Sequence, residues 1–141
     1  MKKVLGFLFA VVVLASCTKK DDDKDPIIGE WTQVSETDNG VAVVLTSCDL
    51  SEKVEFLADG SALIEDKDEV SGSCVLNPLP TGFVTKWTKI STNQYKLIIE
   101  NNGTVAFEQE FTTEFSNSNN TVKTTATEQD GDVTVSVLNR K

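Results

Sequence analysis

This sequence predicts an all-β fold, an up-and-down meander of antiparallel strands that closes on itself as an eight-stranded barrel. Three observations carry the expectation. Apolar residues beyond position 26 recur at every second position, the period of a half-buried strand. Asn-Gly and Asp-Gly pairs at 39–40, 59–60, 102–103 and 130–131 punctuate those stripes at short intervals, and such dipeptides favour tight hairpin turns. No stretch in the same region sustains helical periodicity. Closure is expected because an exported β protein gains from having no exposed edge. Pattern alone leaves a two-sheet sandwich open.

Ahead of this region, Met1-Lys2-Lys3 and the apolar run 4–13 lead to Leu14-Ala15-Ser16-Cys17. A charged start, a short apolar core and small residues are marks of a secretory signal, and the run is too short to span a bilayer. Leu-Ala-Ser-Cys resembles the lipobox of bacterial lipoproteins. That resemblance implies diacylation of Cys17 and cleavage before it. The chain then divides into a signal peptide at 1–16, a lipidated cysteine and charged tether at 17–26, and a domain at 27–141. The expected location is the cell envelope, lipid-anchored on the outer membrane. Lys19-Lys20-Asp21-Asp22-Asp23 resembles the Lys-then-acidic signals that send some Gram-negative lipoproteins to the cell surface, though a plain soluble spacer explains it equally well.

The strands are expected in order. Residues 29–37 open the domain, and Asn39-Gly40 turns the chain. Residues 53–58 put Val54 and Phe56 on one face, and Asp59-Gly60 leads into 61–66 with Leu63 opposite Phe56. Residues 66–69 (DKDE) read as a charged loop. Strands follow at 83–90, at 94–100 with Tyr95, Leu97 and Ile99 on one face, and at 104–115. Val105, Phe107, Phe111 and Phe115 share one parity of that last strand. A final hairpin, 121–128 and 132–138, has Val133, Val135 and Val137 as its apolar face. Residues 41–46 and 70–75 are short extensions.

Composition narrows function. Removing residues 1–16 takes two lysines and no acid, leaving 125 residues with a formal net charge of −11. Nucleic-acid binding needs clustered Lys and Arg, so none is expected. The chain has no histidine. With Cys17 acylated, Cys48 and Cys74 remain as an even pair in an oxidising compartment, which reads as a disulfide rather than a metal site or nucleophile. Asp21, Asp23 and Asp25 mimic a calcium loop, but Pro26 and Thr32 stand where glycine and glutamate are required. No metal, cofactor or catalytic residue is expected, because Asp66/Asp68 and Asp130/Asp132 fall in turns, where acids serve solubility and turn geometry.

Ile27-Ile28-Gly29-Glu30-Trp31 resembles the Gly-x-Trp opening of the lipocalins and their bacterial lipocalin-like relatives. Phe56 to Gly60, the cysteine pair, the segment from Gly82 to Trp87 and the closing strand agree, so the resemblance covers nearly all of 27–141. It implies a lipocalin-like barrel that holds one small ligand or is filled by side chains. It also implies that Trp31 plugs the barrel floor with Arg140 stacked over it. The chain is shorter than larger lipocalins and lacks their second and third conserved segments. Trp87, Tyr95 and Phe107 are the expected contacts for a small hydrophobic ligand, and ordinary core is the competing reading. The alternative function is interaction with an envelope protein through loops near 38–49, 66–82 and 116–120.

Overall fold

A computed structural model describes residues 24–141. The leader, Cys17 and most of the tether lie outside the described residues. The strands are β1 (Gly29–Asp38), β2 (Val41–Ala42), β3 (Lys53–Phe56), β4 (Ser61–Glu65), β5 (Lys67–Val70), β6 (Ser73–Leu76), β7 (Phe83–Ser91), β8 (Gln94–Asn101), β9 (Thr104–Ser116), β10 (Thr121–Thr127) and β11 (Val133–Arg140). β1, β3, β4 and β7 to β11 each pair antiparallel with the next, and β11 returns to β1, with Trp31 opposite Arg140 and Asp38 opposite Thr134. The sheet is a closed eight-stranded antiparallel barrel. The sandwich is excluded. β2 folds back on β1 as an extra strand, and β5 and β6 form a separate hairpin.

Turn chemistry explains the meander. Asn39 and Gly40 have φ of 49° and 79°, and Asn102 and Gly103 have 49° and 81°, the left-handed pairs that a two-residue hairpin requires. Asn117, Ser118 and Asn119 all take positive φ between β9 and β10.

Four expectations are corrected. The β3–β4 connection is a four-residue loop, closed by the Leu57 amide donating to the Ser61 carbonyl. The Asp59 carboxylate accepts from the Ser61 amide and hydroxyl, so Phe56 pairs with Ala62 and Leu63 turns outward. A one-residue change of register moves a side chain to the other face. Of residues 66–69, all but Asp66 belong to strand β5 rather than to a loop, because they pair with β6. Val105 faces outward, because a bulge between the Ile99–Phe107 and Glu100–Val105 pairs reverses the parity of β9. On β11 the inward row is Thr134, Ser136, Leu138 and Arg140, as Arg140 lies over Trp31 and Leu138 packs on the core. Val133, Val135 and Val137 form the outer row.

The two ends of the barrel differ. Ile27, Trp31, Phe56, Ala62, Trp87, Tyr95 and Val122 form one buried cluster at the end where β1 begins and β11 finishes. Segment 24–28 and the loops at 57–60, 92–93 and 117–120 gather there. The opposite end carries the long connections 43–52 and 66–82. These are joined by the Cys48–Cys74 disulfide, with Cα atoms 5.3 Å apart.

Candidate functional site

The closed end is an aromatic floor. Tyr95 stacks on Phe111 with centroids 5.8 Å apart, Trp87 lies 6.0 Å from Tyr95, and Phe56 meets Trp87 edge-on at 5.9 Å. Such pairs contribute about 0.5–1.5 kcal/mol each beyond the area they bury. Beneath them the Arg140 guanidinium carbon sits 4.3 Å from the centroid of a Trp31 ring that is fully buried. Arg140 also donates to the Ile28 and Pro26 carbonyls at 2.7 Å and to the Asn119 carbonyl at 3.0 Å. Gly29 has φ +132°, and a β-carbon there would run into that guanidinium, so the glycine of Gly-x-Trp makes room for the arginine.

Asp25 completes the floor. Its carboxylate accepts from the Tyr95 hydroxyl at 2.7 Å, the Lys89 ammonium at 2.7 Å and the Ile27 amide at 3.0 Å. Burial by itself would push this carboxyl up, but the bonds from Lys89, Tyr95 and Ile27, with the Lys89 charge, hold it below its ordinary value. The Tyr95 phenol is pushed up by burial, by donation to that carboxylate and by its charge. The last residues of the charged stretch before the domain are therefore built into the barrel.

Above the floor the interior is open. A recess of about 260 Å³ is walled by Val54, Phe56, Ile64, Leu97, Phe111 and Leu138, with Gln109, Thr124 and Ala126 completing it. A smaller recess of about 170 Å³ shares Val54, Ile64 and Leu138 with it and adds Trp31 and Gln33. A wider one of about 530 Å³ shares Gln109 and Ala126 and reaches Phe107, Glu128 and Asp130 at the rim. The shared walls make these one cup, apolar below and carboxylate-edged above. Such a shape takes a small molecule with an apolar body.

Two polar groups stand out in the interior. A register shift between Gln33 and Ser35 turns Glu36 into the barrel opposite Ser136. The Glu36 carboxylate accepts from the Gln33 side-chain amide at 2.7 Å and from the Ser136 hydroxyl at 3.2 Å. Among the described residues no lysine or arginine pairs with it. On the inward row of β7, Thr85 is 6 % exposed and its hydroxyl has no hydrogen-bond partner among the described residues.

The expected contact residues do not meet in one place. Trp87 and Tyr95 belong to the floor, where the Trp87 ring nitrogen donates to the Leu57 carbonyl at 2.9 Å and the Tyr95 hydroxyl is committed to Asp25. They lie under the cup rather than around it. Phe107 is 46 % exposed and stands at the rim. Trp31 and Arg140 meet at the closed end, and Cys48 and Cys74 brace the open one. Of the wall residues, Val54, Phe56, Leu97 and Phe111 lie on apolar faces read from the sequence, while Ile64, Gln109, Ala126 and Leu138 were not singled out there. Leu97 was legible, since it alternates with Tyr95 on a clear period of two. Ile64 and Leu138 were hidden by the register of their hairpins. No protein-family model matches the chain, and no curated protein matches it significantly.

Proposed function

We propose that this chain is a lipid-anchored, lipocalin-like module of the bacterial outer membrane that binds a small hydrophobic molecule inside its barrel without catalysing a reaction. The observation that carries the reading is the cup itself. Stacked rings close one end, and an apolar recess of about 260 Å³ opens toward the other. A barrel used only as a scaffold would fill that space with side chains, because voids in packed cores destabilise.

Anchoring rests on the lipobox resemblance at Cys17, and the lipocalin-like reading rests on Gly29-Glu30-Trp31 together with an eight-stranded barrel. The absence of histidine and the bridged cysteines leave few groups for catalysis. The test is native mass spectrometry of the full chain purified in mild detergent from its own host's membranes. The expected spectrum carries the mass of acyl groups on Cys17 and a second, non-covalent apolar molecule lost on activation. A chain with no bound mass, and no uptake of apolar dyes afterwards, defeats the binding role.

One observation favours a second reading. Val41, Val44, Val70, Val75, Leu76 and Leu79 are exposed on the connections at the open end, Val44 at 92 %. Exposed apolar side chains on loop tips are the mark of an interaction surface, and an envelope protein docked there would cover the mouth. The polar loop at 117–120 lies at the other end, so the three loops do not form one surface. Crosslinking from position 44 in intact cells to one defined envelope protein would establish that role.

A further inference from the structure

The charges around the cup define what its occupant carries at the polar end. From the rim, Glu128 and Asp130 face the widest recess, where Glu128 accepts only from the Thr134 hydroxyl, at 3.1 Å. On the opposite wall, Glu52 edges the smallest recess and accepts from the Lys67 amide at 3.0 Å, while Glu65 shares the outward row of β4 with Leu63. Glu36 stands inside, held by two neutral donors. The one lysine at these walls, Lys53, is shared between Glu30 at 3.5 Å and Glu65 at 3.9 Å. Elsewhere Arg140 is committed beneath Trp31 and Lys89 to Asp25, both at the closed end. Among the described residues, then, the cup offers an anion no open cation at its walls, and it faces a cation with Glu36, Glu128 and Asp130, none of them ion-paired.

From this we infer that the cup takes a cationic amphiphile: an apolar chain lies against Val54, Ile64, Leu97 and Leu138, and an ammonium group lies among Glu36 and the rim carboxylates. This inference rests on the cavity reading above and names the chemical class of its ligand. A fatty acid is disfavoured by the same walls, because its carboxylate would sit beside like charges with nothing to pair it. A neutral chain lies between these cases. The preference is electrostatic and is screened by salt, since the rim is open to water.

Three probes with the same decyl chain separate the possibilities: decyltrimethylammonium, decanoate and decanol. Each is titrated below its micelle threshold into the mature chain carrying Cys17→Ser, which removes the acyl anchor and leaves the barrel intact. At low ionic strength the ammonium is expected to bind about tenfold tighter than decanoate, with decanol between. Half-molar salt narrows the gap. Glu36→Gln, which keeps both hydrogen bonds to its neighbours, brings the ammonium toward decanol and leaves decanol unchanged. Glu128→Gln, at the exposed rim, does the same to a smaller degree and guards against loss of folding in the interior variant. Equal binding of the three probes, or tighter binding of decanoate, overturns the cationic assignment and leaves the cavity reading standing. Binding of none overturns both.

Discussion

Gly29 shows how a single atom governs the closed end. Its φ of +132° and its contact with Arg140 both exclude a β-carbon. Gly29→Ala is therefore expected to lower stability by about 2–3 kcal/mol in urea unfolding, because the backbone is strained and the guanidinium is displaced from Trp31 and the Ile28 carbonyl. Asp25 adds a pH dependence. Its carboxyl lies below its ordinary value of 3.8, so it contributes stability above that pH, and the contribution is lost as pH falls through the folded value. Glu52 acts in the opposite sense, since burial and then the neighbouring Asp66 and Asp49 raise its carboxyl despite the Lys67 amide. Asp25→Asn should thus be less stable than the parent at neutral pH and lose less stability between about pH 5 and about pH 2. Thermal melts across that range measure it, and parallel curves for the two proteins would refute the assignment.

At the scale of elements, the open end depends on covalent bracing more than on packing. The β5–β6 hairpin pairs with no barrel strand, and all of β6 is exposed. Cys48 is nearly fully buried where it bridges to Cys74, tying this hairpin to the connection after β2. On the chain-entropy model a loop of this length is worth roughly 3.5 kcal/mol. Replacing both cysteines by serine is expected to lower stability by about 3 kcal/mol while the barrel still forms. Proteolysis should then cut first within 67–76, and cleavage elsewhere in the barrel at equal rate would show that the hairpin does not depend on the bridge. The β4–β7 seam is the other weak element. Only Ser61–Lys86 and Ala62–Thr85 pair across it, so the wall beside Ile64 is the part of the barrel with the fewest ladder bonds.

For the whole molecule, the chain enters at the closed end and the cup opens at the other. Under the proposed lipid anchoring at Cys17, attachment through the closed end would leave the mouth on the side away from the anchor. Filling the cup tests whether its volume is the functional feature. Ala126 lies on the wall shared by two of the recesses, so Ala126→Phe should abolish uptake of an apolar fluorescent dye while the melting temperature holds or rises. Unchanged dye uptake by a folded Ala126→Phe protein would place the dye on the outer surface. The exposed valines and leucines of the mouth make that a real competitor, and the variant discriminates between the two.

The sequence by itself determined the antiparallel meander, and the pairing of β11 with β1 decided that it closes as a barrel and not as a sandwich. Period-two stripes such as Tyr95, Leu97 and Ile99, with Asn-Gly and Asp-Gly turns, admit little besides consecutive hairpins, and local backbone preference is readable one residue at a time. Trp31 was legible for the same reason, since Gly-x-Trp is a short motif with local meaning. What the tertiary structure alone decided is which face of each strand looks inward. The four-residue loop at 57–60 turned Ala62 and Ile64 inward in place of Leu63, and the bulge near Ala106 sent Val105 out. The register of β11 against β1 put Leu138 rather than Val137 on the wall, and the shift near Val34 carried Glu36 inside. A register change of one residue exchanges the two faces, while neighbouring residue types barely alter to announce it. The meander was a property of the pattern. The lining of the cup, including the carboxylate that gives it a charge preference, was a property of the closure.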